Sequence, residues 1–339
     1  MSGPTALRAA EYWERGSGGT VHCSLCPHRC TLKSGAAGLC RVRRNRDGAM
    51  DLPFYGLLSG TALDPIEKKP LHHFLPGSGV YSAGFVGCNM RCPFCQNWTI
   101  SQRTEEAGGR VSPRELVEAA LASGAPSLAY TYSEPSVHFE YLVDAMRLAS
   151  EAGLYNVLVT NGCLLEAPAR ELLALTDAAN VDLKCWSAEA YRSALGGDLE
   201  TVLAFIRLAA GLCHLEVTTL VVPGLSDAEA DIEGIAKFLA GLSPDIPLHL
   251  SAYHPDWKAE EPPTEGRVLE ALAALAAERL RYVYVGNLAG ARADTVCPHC
   301  GATTVRRRGY ATDARGLVPG KEAHRAACAS CGRALPIRL

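Results

Sequence analysis

From Val80 onward the sequence alternates between strand-like and helix-like segments, and this alternation constrains the fold more than any other feature. Strands that alternate with helices pair in parallel through right-handed crossovers, which predicts an α/β architecture. Each βαβ unit needs about 30 residues, so the stretch from Val80 to Gly286 holds about six units. A full eightfold barrel needs about 250 residues and does not fit. We therefore expect a partial, open (β/α)6 barrel.

The predicted elements follow from periodicity and from the residues that flank each segment. Ser112 and Glu115 have the spacing of a capping box, with Pro113 at the first helical position, so a helix is expected to begin there. The predicted strands are 80–86, 127–132, 154–160, 180–184, 214–222, 247–253 and 281–285. The predicted helices are 112–122, 136–152, 166–175, 198–210, 227–239 and 265–278. In parallel α/β folds, functional residues gather beyond the carboxyl ends of the strands.

The chain contains 14 cysteines, and most of them fall into three groups. Cysteines grouped this closely in a reducing compartment indicate metal ligands rather than disulfides. The groups are Cys23, Cys26, Cys30 and Cys40; then Cys88, Cys92 and Cys95; then Cys297, Cys300, Cys328 and Cys331. The other three, Cys163, Cys185 and Cys213, are expected to be packed thiols, with a cavity-facing role as the alternative for Cys163 and Cys185.

The middle group has the spacing C-x3-C-x2-C and follows the strand-like run that ends at Val86. Three thiolates on one short loop suit a cuboidal 4Fe-4S cluster, which then has one iron without a protein ligand. A small molecule can bind at that iron. Gly87 before the first thiol and Phe94 before the third favour this interpretation over three ordinary buried cysteines. A structural zinc site usually has four ligands, which this loop does not supply.

Two further cysteine groups flank the predicted barrel. The first lies in residues 1–50, in a stretch with too little apolar periodicity to form its own core, so a bound metal is expected to order it. Zinc on four thiolates is the first interpretation, and a second iron-sulfur cluster is the alternative. The last lies in residues 291–339, where two C-x2-C pairs predict a zinc ribbon. Residues 51–79, broken by prolines, are expected to be an extended connector, and 80–290 the barrel.

Polar residues mark the predicted strand ends and the connector. Asp182 and Lys184 lie two positions apart on a strand and therefore face the same side, either as a structural salt bridge or as a cavity pair. Glu134, at another strand end, can accept hydrogen bonds from an ammonium group. In the connector, one of Lys68 and Lys69 is expected to line the substrate cavity, with a surface position as the alternative.

The three-cysteine loop, with Phe94 before its last cysteine, resembles the signature of the radical S-adenosylmethionine (SAM) superfamily. The strand ends resemble those of glycyl-radical-enzyme activases such as pyruvate formate-lyase activating enzymes. Residues 23–30, 66–71 and 129–135 and the terminal cysteine pairs are similar to the AmmeMemoRadiSam-system subgroup. The resemblance implies that the open iron chelates the amino and carboxylate groups of SAM. It also implies a set of SAM-binding residues: Ser133, Glu134, Thr160, Asn161, Asp182, Lys184 and His254.

The resemblance further implies the chemistry. A reduced cluster on Cys88, Cys92 and Cys95 transfers one electron to SAM, which is cleaved to methionine and a 5′-deoxyadenosyl radical that abstracts hydrogen from a substrate. The activase-like strand ends indicate a polypeptide substrate. Modification of a small molecule is the alternative among enzymes, and a zinc-ribbon nucleic-acid-binding protein is a distant alternative. The expected cofactors are the 4Fe-4S cluster, SAM and zinc, and a one-electron donor such as flavodoxin or ferredoxin is the expected second partner.

Composition narrows the partners and the compartment. The formal net charge is −3, with 48% hydrophobic and 20% charged residues, which gives no general attraction to nucleic acid or to an anionic membrane. The sequence shows no apolar run long enough to span a bilayer and no apolar core of a signal peptide. A cytoplasmic location is therefore expected.

Overall fold

The computed structural model describes residues 8–102, 109–288, 290–291 and 293–339. Short strands precede the main sheet: β1 (Trp13–Arg15), β2 (Val21–Cys23), β3 (Thr31–Leu32), β4 (Arg44–Arg46), β5 (Ala49–Asp51) and β6 (Leu57–Leu58). Strands β1 to β3 form an antiparallel sheet, and β4 pairs with β5. The buried side chains of Val21, Leu25 and Leu32 join the main hydrophobic core. The N-terminal segment is therefore packed onto the barrel.

The main sheet has eight strands within the described residues, and seven of them run parallel. The strands from this part of the chain are β7 (Gly60–Pro65), β8 (Gly79–Gly84), β9 (Gly109–Arg110), β10 (Ser127–Thr131), β11 (Tyr155–Thr160), β12 (Ala178–Asp182), β13 (His214–Val221), β14 (Leu248–Ala252) and β15 (Val283–Gly286). The order across the sheet is β15-β14-β13-β12-β11-β10-β8-β7, with β7 antiparallel at one edge, while β9 pairs separately with β6. Because β7 and β15 end the order, the sheet is open, and the predicted partial (β/α)6 barrel is confirmed.

Helices connect the parallel strands as predicted. They are α1 (Trp98–Ser101), α2 (Pro113–Ala122), α3 (Phe139–Glu151), α4 (Glu166–Leu173), α5 (Ala188–Ala190), α6 (Leu199–Leu212), α7 (Glu229–Leu242) and α8 (Gly266–Ala277). The capping box at α2 is present, with Ser112 Oγ accepting from the Glu115 N–H. The α-helix predicted from residue 136 begins three residues later, because Pro135–His138 form a 3-10 turn that carries Glu134 as its cap. No helix within the described ranges is long and apolar enough to cross a membrane.

The C-terminal segment consists of two small antiparallel sheets. Its strands are β16 (Thr295–Val296), β17 (Thr303–Arg308), β18 (Ala311–Asp313), β19 (Leu317–Pro319), β20 (Arg325–Cys328) and β21 (Ala334–Arg338). The Arg338 backbone N–H donates to the His73 carbonyl over 2.8 Å, and the Leu75 N–H donates to the Arg338 carbonyl over 2.9 Å. The segment is thus docked on the connector, which itself lies against the barrel strands.

The connector fills space beneath the sheet. Ile66, Leu71 and Phe74 are fully buried and pack with Ala129 and Val157 of the parallel strands. Burial of apolar side chains is the main favourable term in such packing. The predicted extended connector therefore includes an edge strand, β7, and a buried loop that covers one end of the barrel.

The isolated cysteines are mostly packed, as their default interpretation predicts. Cys163 and Cys185 are fully buried, and Cys213 is half-buried. Burial raises the pKa of the Cys163 thiol to about 12. Neither Cys163 nor Cys185 lines the large cavity described below.

Candidate active site

A cavity of about 750 Å³ lies against the inner face of the sheet, toward the carboxyl ends of the strands. Its walls come from the loop after β8, the ends of β12 to β15, the connector and the C-terminal segment. The polar residues at one end include Cys88, Cys92, Cys95, Asn161, Asp182 and Lys184. We call this the cysteine end.

The cysteine loop carries a donor set that fits an iron-sulfur cluster. Cys88, Cys92 and Cys95 all line the cavity. The Met90 backbone N–H donates to Cys88 Sγ over 3.3 Å, and the Asn161 side-chain amide donates to the same sulfur over 3.7 Å. Hydrogen bonds to sulfur favour the thiolate. Three sulfurs on one loop at the edge of a cavity are the ligands that a 4Fe-4S cluster with one open iron requires.

Burial raises the pKa of two of these thiols, those of Cys88 and Cys92. Burial raises the pKa of the Cys92 thiol to about 11, although Lys184 lowers it. Burial also raises the pKa of Cys88 well above its ordinary value, and the Glu134 carboxylate adds to this. Because a metal binds the thiolate, loading the loop releases protons.

The cysteine loop is seated against the N-terminal segment. Gly87 has a φ of +78°, and a Cβ atom at this position would lie 2.6 Å from the Cys40 carbonyl oxygen. A glycine is therefore required both by the left-handed backbone and by the close approach. His28 Nε2 lies 2.6 Å from the Asn89 carbonyl oxygen. The segment that carries Cys40 thus supports the loop that carries Cys88.

Asp182 and Lys184 face the cavity together, as their spacing predicts. Lys184 Nζ donates to Asp182 Oδ2 over 2.9 Å. Burial lowers the pKa of Lys184, but the charge of Asp182 and its hydrogen bond outweigh this effect, so the pKa is raised and the ammonium is retained. The pair is a salt bridge, and its position beside Cys92 also makes it available to a bound ligand.

Glu134 lies behind the cavity wall. Its carboxylate is fully buried and accepts hydrogen bonds from Ser136 N at 3.1 Å, Thr160 Oγ1 at 2.6 Å and Asn161 N at 2.7 Å. It therefore joins the ends of β10 and β11. Glu134 and Thr160 do not line the cavity, whereas Ser133 and Asn161 do.

The turn before Glu134 is strained. Tyr132 and Ser133 both have positive φ values, of 51° and 54°. Two consecutive non-glycine residues in this region are costly and are found mainly at functional sites. The Ser133 hydroxyl donates to the Gly87 carbonyl over 2.6 Å, so this turn is tied to the cysteine loop.

His254 lies outside the cavity lining. It is exposed, and its Nε2 lies 3.3 Å from the Asn287 carbonyl oxygen. Asn287 does line the cavity. The structure therefore places His254 at the rim, next to a lining residue and apart from Ser133, Asn161, Asp182 and Lys184.

The opposite end of the cavity was not identified from the sequence. Asp182, Thr218, His249 and Tyr284 occupy matching register positions on β12 to β15, and all four line the cavity. Residues in register on parallel strands share a face of the sheet. The row therefore extends from the cysteine end to a second end, which we call the far end. A sequence signal exists: His249 is a polar residue within a buried strand.

The connector and the C-terminal segment complete the far end. The connector contributes Glu67, Lys68 and His72, and the C-terminal segment contributes Arg307 and Tyr310. The prediction that one connector lysine lines the cavity is confirmed for Lys68.

Lys69 occupies a different environment. It is buried, and its Nζ lies 2.8 Å from Asp64 Oδ2 and 4.4 Å from the Tyr132 ring centroid. Lys69 therefore supports the strained turn from behind instead of lining the cavity.

The two terminal cysteine groups differ in geometry. The sulfurs of Cys297, Cys300, Cys328 and Cys331 all lie within 4.8 Å of one another, which no other group of three or more metal-ligating side chains achieves in the described residues. Four thiols this close fit a tetrahedral zinc site. In the N-terminal group, Cys30 and Cys40 both approach Gly38, at 3.8 and 3.6 Å from a Cβ placed there.

Comparison with known proteins identifies the family. The Radical SAM superfamily profile matches residues 84–239. Uncharacterized protein MJ0808 of Methanocaldococcus jannaschii is 39% identical over 98% of this chain and 100% of its own length. Pyruvate formate-lyase 1-activating enzyme of Escherichia coli is 27% identical over 50% of this chain and 72% of its own length. A radical SAM methyltransferase from Sphaerobacter thermophilus superposes with a TM-score of 0.50 at 18% identity, covering 66% of this chain and 68% of that one.

An open α/β barrel with three cysteines on the loop after its first parallel strand defines an enzyme that uses an iron-sulfur cluster and SAM. The chain belongs to the radical SAM superfamily. Within that superfamily it is related to the pyruvate formate-lyase activating enzymes.

Proposed function

We propose that this enzyme uses SAM to generate a 5′-deoxyadenosyl radical and that the radical abstracts hydrogen from a polypeptide substrate. One observation carries the proposal: the cysteine loop, the Asp182–Lys184 pair and the far end share one continuous cavity. A cofactor bound at the cysteine end would thus face a substrate at the far end. Holding the two in contact converts a bimolecular reaction into an effectively unimolecular one.

The cofactor residues have separate tasks in this proposal. The cluster, when bound to Cys88, Cys92 and Cys95, supplies the electron that cleaves SAM. Asn161 and Lys184 line the cavity beside those cysteines and are positioned to hold the polar groups of SAM. Among the other predicted SAM-binding residues, Ser133 and Asp182 would contact SAM directly. Glu134 and Thr160 would hold the Asn161 backbone in place, and His254 would lie at the rim of the cavity.

A polypeptide substrate is supported by the relationship to enzymes named for activating pyruvate formate-lyase, which is itself a protein. The far end is also partly formed by the C-terminal segment, whose Tyr310 side chain is 58% exposed at the cavity edge. An exposed aromatic at the edge of a cavity suits contact with a partner protein. We assign zinc to the C-terminal cysteines, and zinc or a second cluster to Cys23, Cys26, Cys30 and Cys40.

The remaining assignments are proposals of the same kind. A one-electron donor such as flavodoxin or ferredoxin would reduce the cluster, and the enzyme would act in the cytoplasm. Membership of the AmmeMemoRadiSam-system subgroup is part of the same proposal.

The test begins with anaerobically reconstituted protein, SAM and a chemical reductant, with 5′-deoxyadenosine measured by chromatography. We expect release from the wild type and background levels from Cys92→Ala, because the cluster loses a ligand. Cys213→Ala, which removes a thiol at the start of β13, should retain activity. Release from Cys92→Ala at the wild-type rate would refute the proposed cofactor chemistry.

The second stage adds candidate partner proteins and examines both the protein and the small-molecule fractions by mass spectrometry. We expect a mass change or a cleavage product in one partner protein. A SAM-dependent product found only among small molecules would instead support the alternative of small-molecule modification.

A further inference from the structure

The far end of the cavity contains buried polar atoms that have no partner among the described residues. They are Glu67 Oε2, His72 Nδ1 and Arg307 Nε. The three residues are only 5%, 8% and 2% exposed, and all three line the cavity. Buried polar atoms in native proteins are nearly always paired, so three unpaired atoms around one cavity require an explanation.

Arg307 is only partly used as a structural link. Its Nη2 donates to the His72 carbonyl at 2.7 Å and its Nη1 to Thr295 Oγ1 at 2.8 Å, which fixes the C-terminal segment to the connector and leaves Nε unpaired. Arg307 Nε lies 3.8 Å from Glu67 Oε1, too far for a hydrogen bond.

Glu67 is likewise satisfied at one oxygen only. Its Oε1 accepts from Gly77 N at 2.8 Å and from Thr312 Oγ1 at 2.7 Å, and its Oε2 accepts none within the described residues. The far end thus holds one unused acceptor next to one unused donor.

His249 adds an oriented imidazole to the same end. Its Nε2 lies 2.6 Å from Glu216 Oε2, and Glu216 is fully buried. The same carboxylate accepts the backbone N–H groups of His72 and His73 at 3.0 and 2.7 Å. Because Glu216 only accepts, His249 donates to it through Nε2.

The far end is lined by side chains of both charge signs. Glu67 and Arg307 carry opposite charges, and the third charged lining residue, Lys68, is bound to Asp64 at 2.8 Å. Burial keeps His72 neutral by lowering its pKa well below the ordinary value, and the charge of Arg307 adds to this effect. A charged ligand group would therefore meet a like charge, Arg307 for a cation and Glu67 for an anion, and an apolar group would leave the polar atoms unpaired.

We infer that the far end binds an amide group of the substrate, whose N–H donates to Glu67 Oε2 and whose carbonyl accepts from Arg307 Nε. The amide belongs to an asparagine or glutamine side chain of a polypeptide, because a primary amide presents an N–H and its carbonyl on the same edge, as the neighbouring Glu67 and Arg307 require. This inference rests on the proposed function and makes the C-terminal segment part of the substrate site. Glu67 and Arg307 both border the cavity, so the amide would reach them from there.

The test uses three probes that differ by one charged group: N-acetylglycinamide, N-acetylglycine and glycinamide. Binding to the reconstituted protein is measured by saturation-transfer NMR titration. We expect the neutral diamide to bind about tenfold more tightly than the anion or the cation, since leaving one buried group unpaired costs about that factor. Equal or tighter binding of a charged probe, or no binding of the diamide, would overturn the inference.

Matched variants locate the binding. Arg307→Met and Glu67→Gln should each weaken diamide binding about tenfold. Arg306→Met removes an exposed guanidinium from the opposite face of β17 and should have no effect. Circular dichroism checks that each variant is folded; the isosteric Glu67→Gln serves if Arg307→Met is not. Equal effects of Arg306→Met and Arg307→Met would contradict the assignment.

The same preparation separates this inference from the proposed function. If 5′-deoxyadenosine is released from SAM but the diamide shows no preference, the amide site is refuted and the radical chemistry stands. If the diamide binds as expected but no 5′-deoxyadenosine forms, the site stands as a binding site and the proposed function fails.

Discussion

The two ends of the cavity are built in different ways. The cysteine end is made of residues that follow individual strands: three cysteines after β8, Asn161 after β11, and Asp182 and Lys184 at the end of β12. The far end is formed by the connector, by strand interiors and by the C-terminal segment. One buried carboxylate, Glu216, accepts hydrogen bonds there from His249 and from the backbone N–H groups of His72 and His73.

This difference separates chemistry from recognition. The cysteine end uses short local motifs, and it is the part of the chain within the radical SAM superfamily match. Arg307 and Glu67 of the far end lie outside that match. We therefore expect substitutions at the cysteine end to impair SAM cleavage. Substitutions at the far end should instead alter substrate binding and the stability of the barrel.

The largest effect is expected at the cysteine end. Lys184→Met removes the ammonium beside Cys92 and leaves Asp182 without its partner. The KM for SAM in the 5′-deoxyadenosine assay should rise about tenfold or more, because charge-assisted hydrogen bonds are the strong ones. Lys237→Met, an exposed position on α7, is the control. An unchanged KM would show that the pair is only a structural salt bridge.

A smaller effect on catalysis, with a measurable loss of folding stability, is expected beneath the far end. The Glu216 carboxylate accepts four hydrogen bonds, two of them from His214 and His249. Glu216→Gln replaces it with an uncharged amide, in which the nitrogen donates and only the oxygen accepts. The free energy of unfolding, measured by urea titration, should fall by about 3 kcal/mol, as expected when a buried charged network is broken.

The matching surface change is Glu233→Gln, which removes an exposed pair with Arg279. It should cost less than about 1 kcal/mol. SAM affinity should be retained in both variants. If the Glu216→Gln protein had wild-type stability, Glu216 would not stabilise the far end, and this contrast between the two ends would be wrong.

The smallest effect comes from mild acid. Burial lowers the pKa of His73 to about 3, compared with an ordinary value of 6.5. In the unfolded chain His73 therefore binds a proton below pH 6.5, whereas in the folded protein it stays neutral down to about pH 3. The free energy of unfolding consequently falls as the pH decreases from 6.5 towards 3. Within this pH range, His73 changes the free energy of unfolding by about 1.4 kcal/mol per pH unit.

Urea titrations at pH 7.5, 6 and 5 measure that slope. His73→Asn should reduce it, whereas the exposed His254→Asn should leave it unchanged. Equal slopes in all three proteins would show that the far end does not determine the acid sensitivity.

The sequence by itself determined the architecture and the cysteine end. Alternating segments define the open parallel sheet because strand and helix periods differ along the chain. The C-x3-C-x2-C loop and the Asp182–Lys184 pair are readable because each depends on residues only two to four positions apart. Local spacing is enough to place such residues on one loop or one face.

Only the tertiary structure decided how Glu134, His254 and the far end are arranged. Glu134 joins two strand ends because Thr160 and Asn161 come to lie against it, which its own neighbours in sequence do not reveal. Arg307 reaches His72 from 235 positions away along the chain. Such contacts depend on how separate segments dock, and docking is set by complementary packing over the whole interface, which no short pattern encodes.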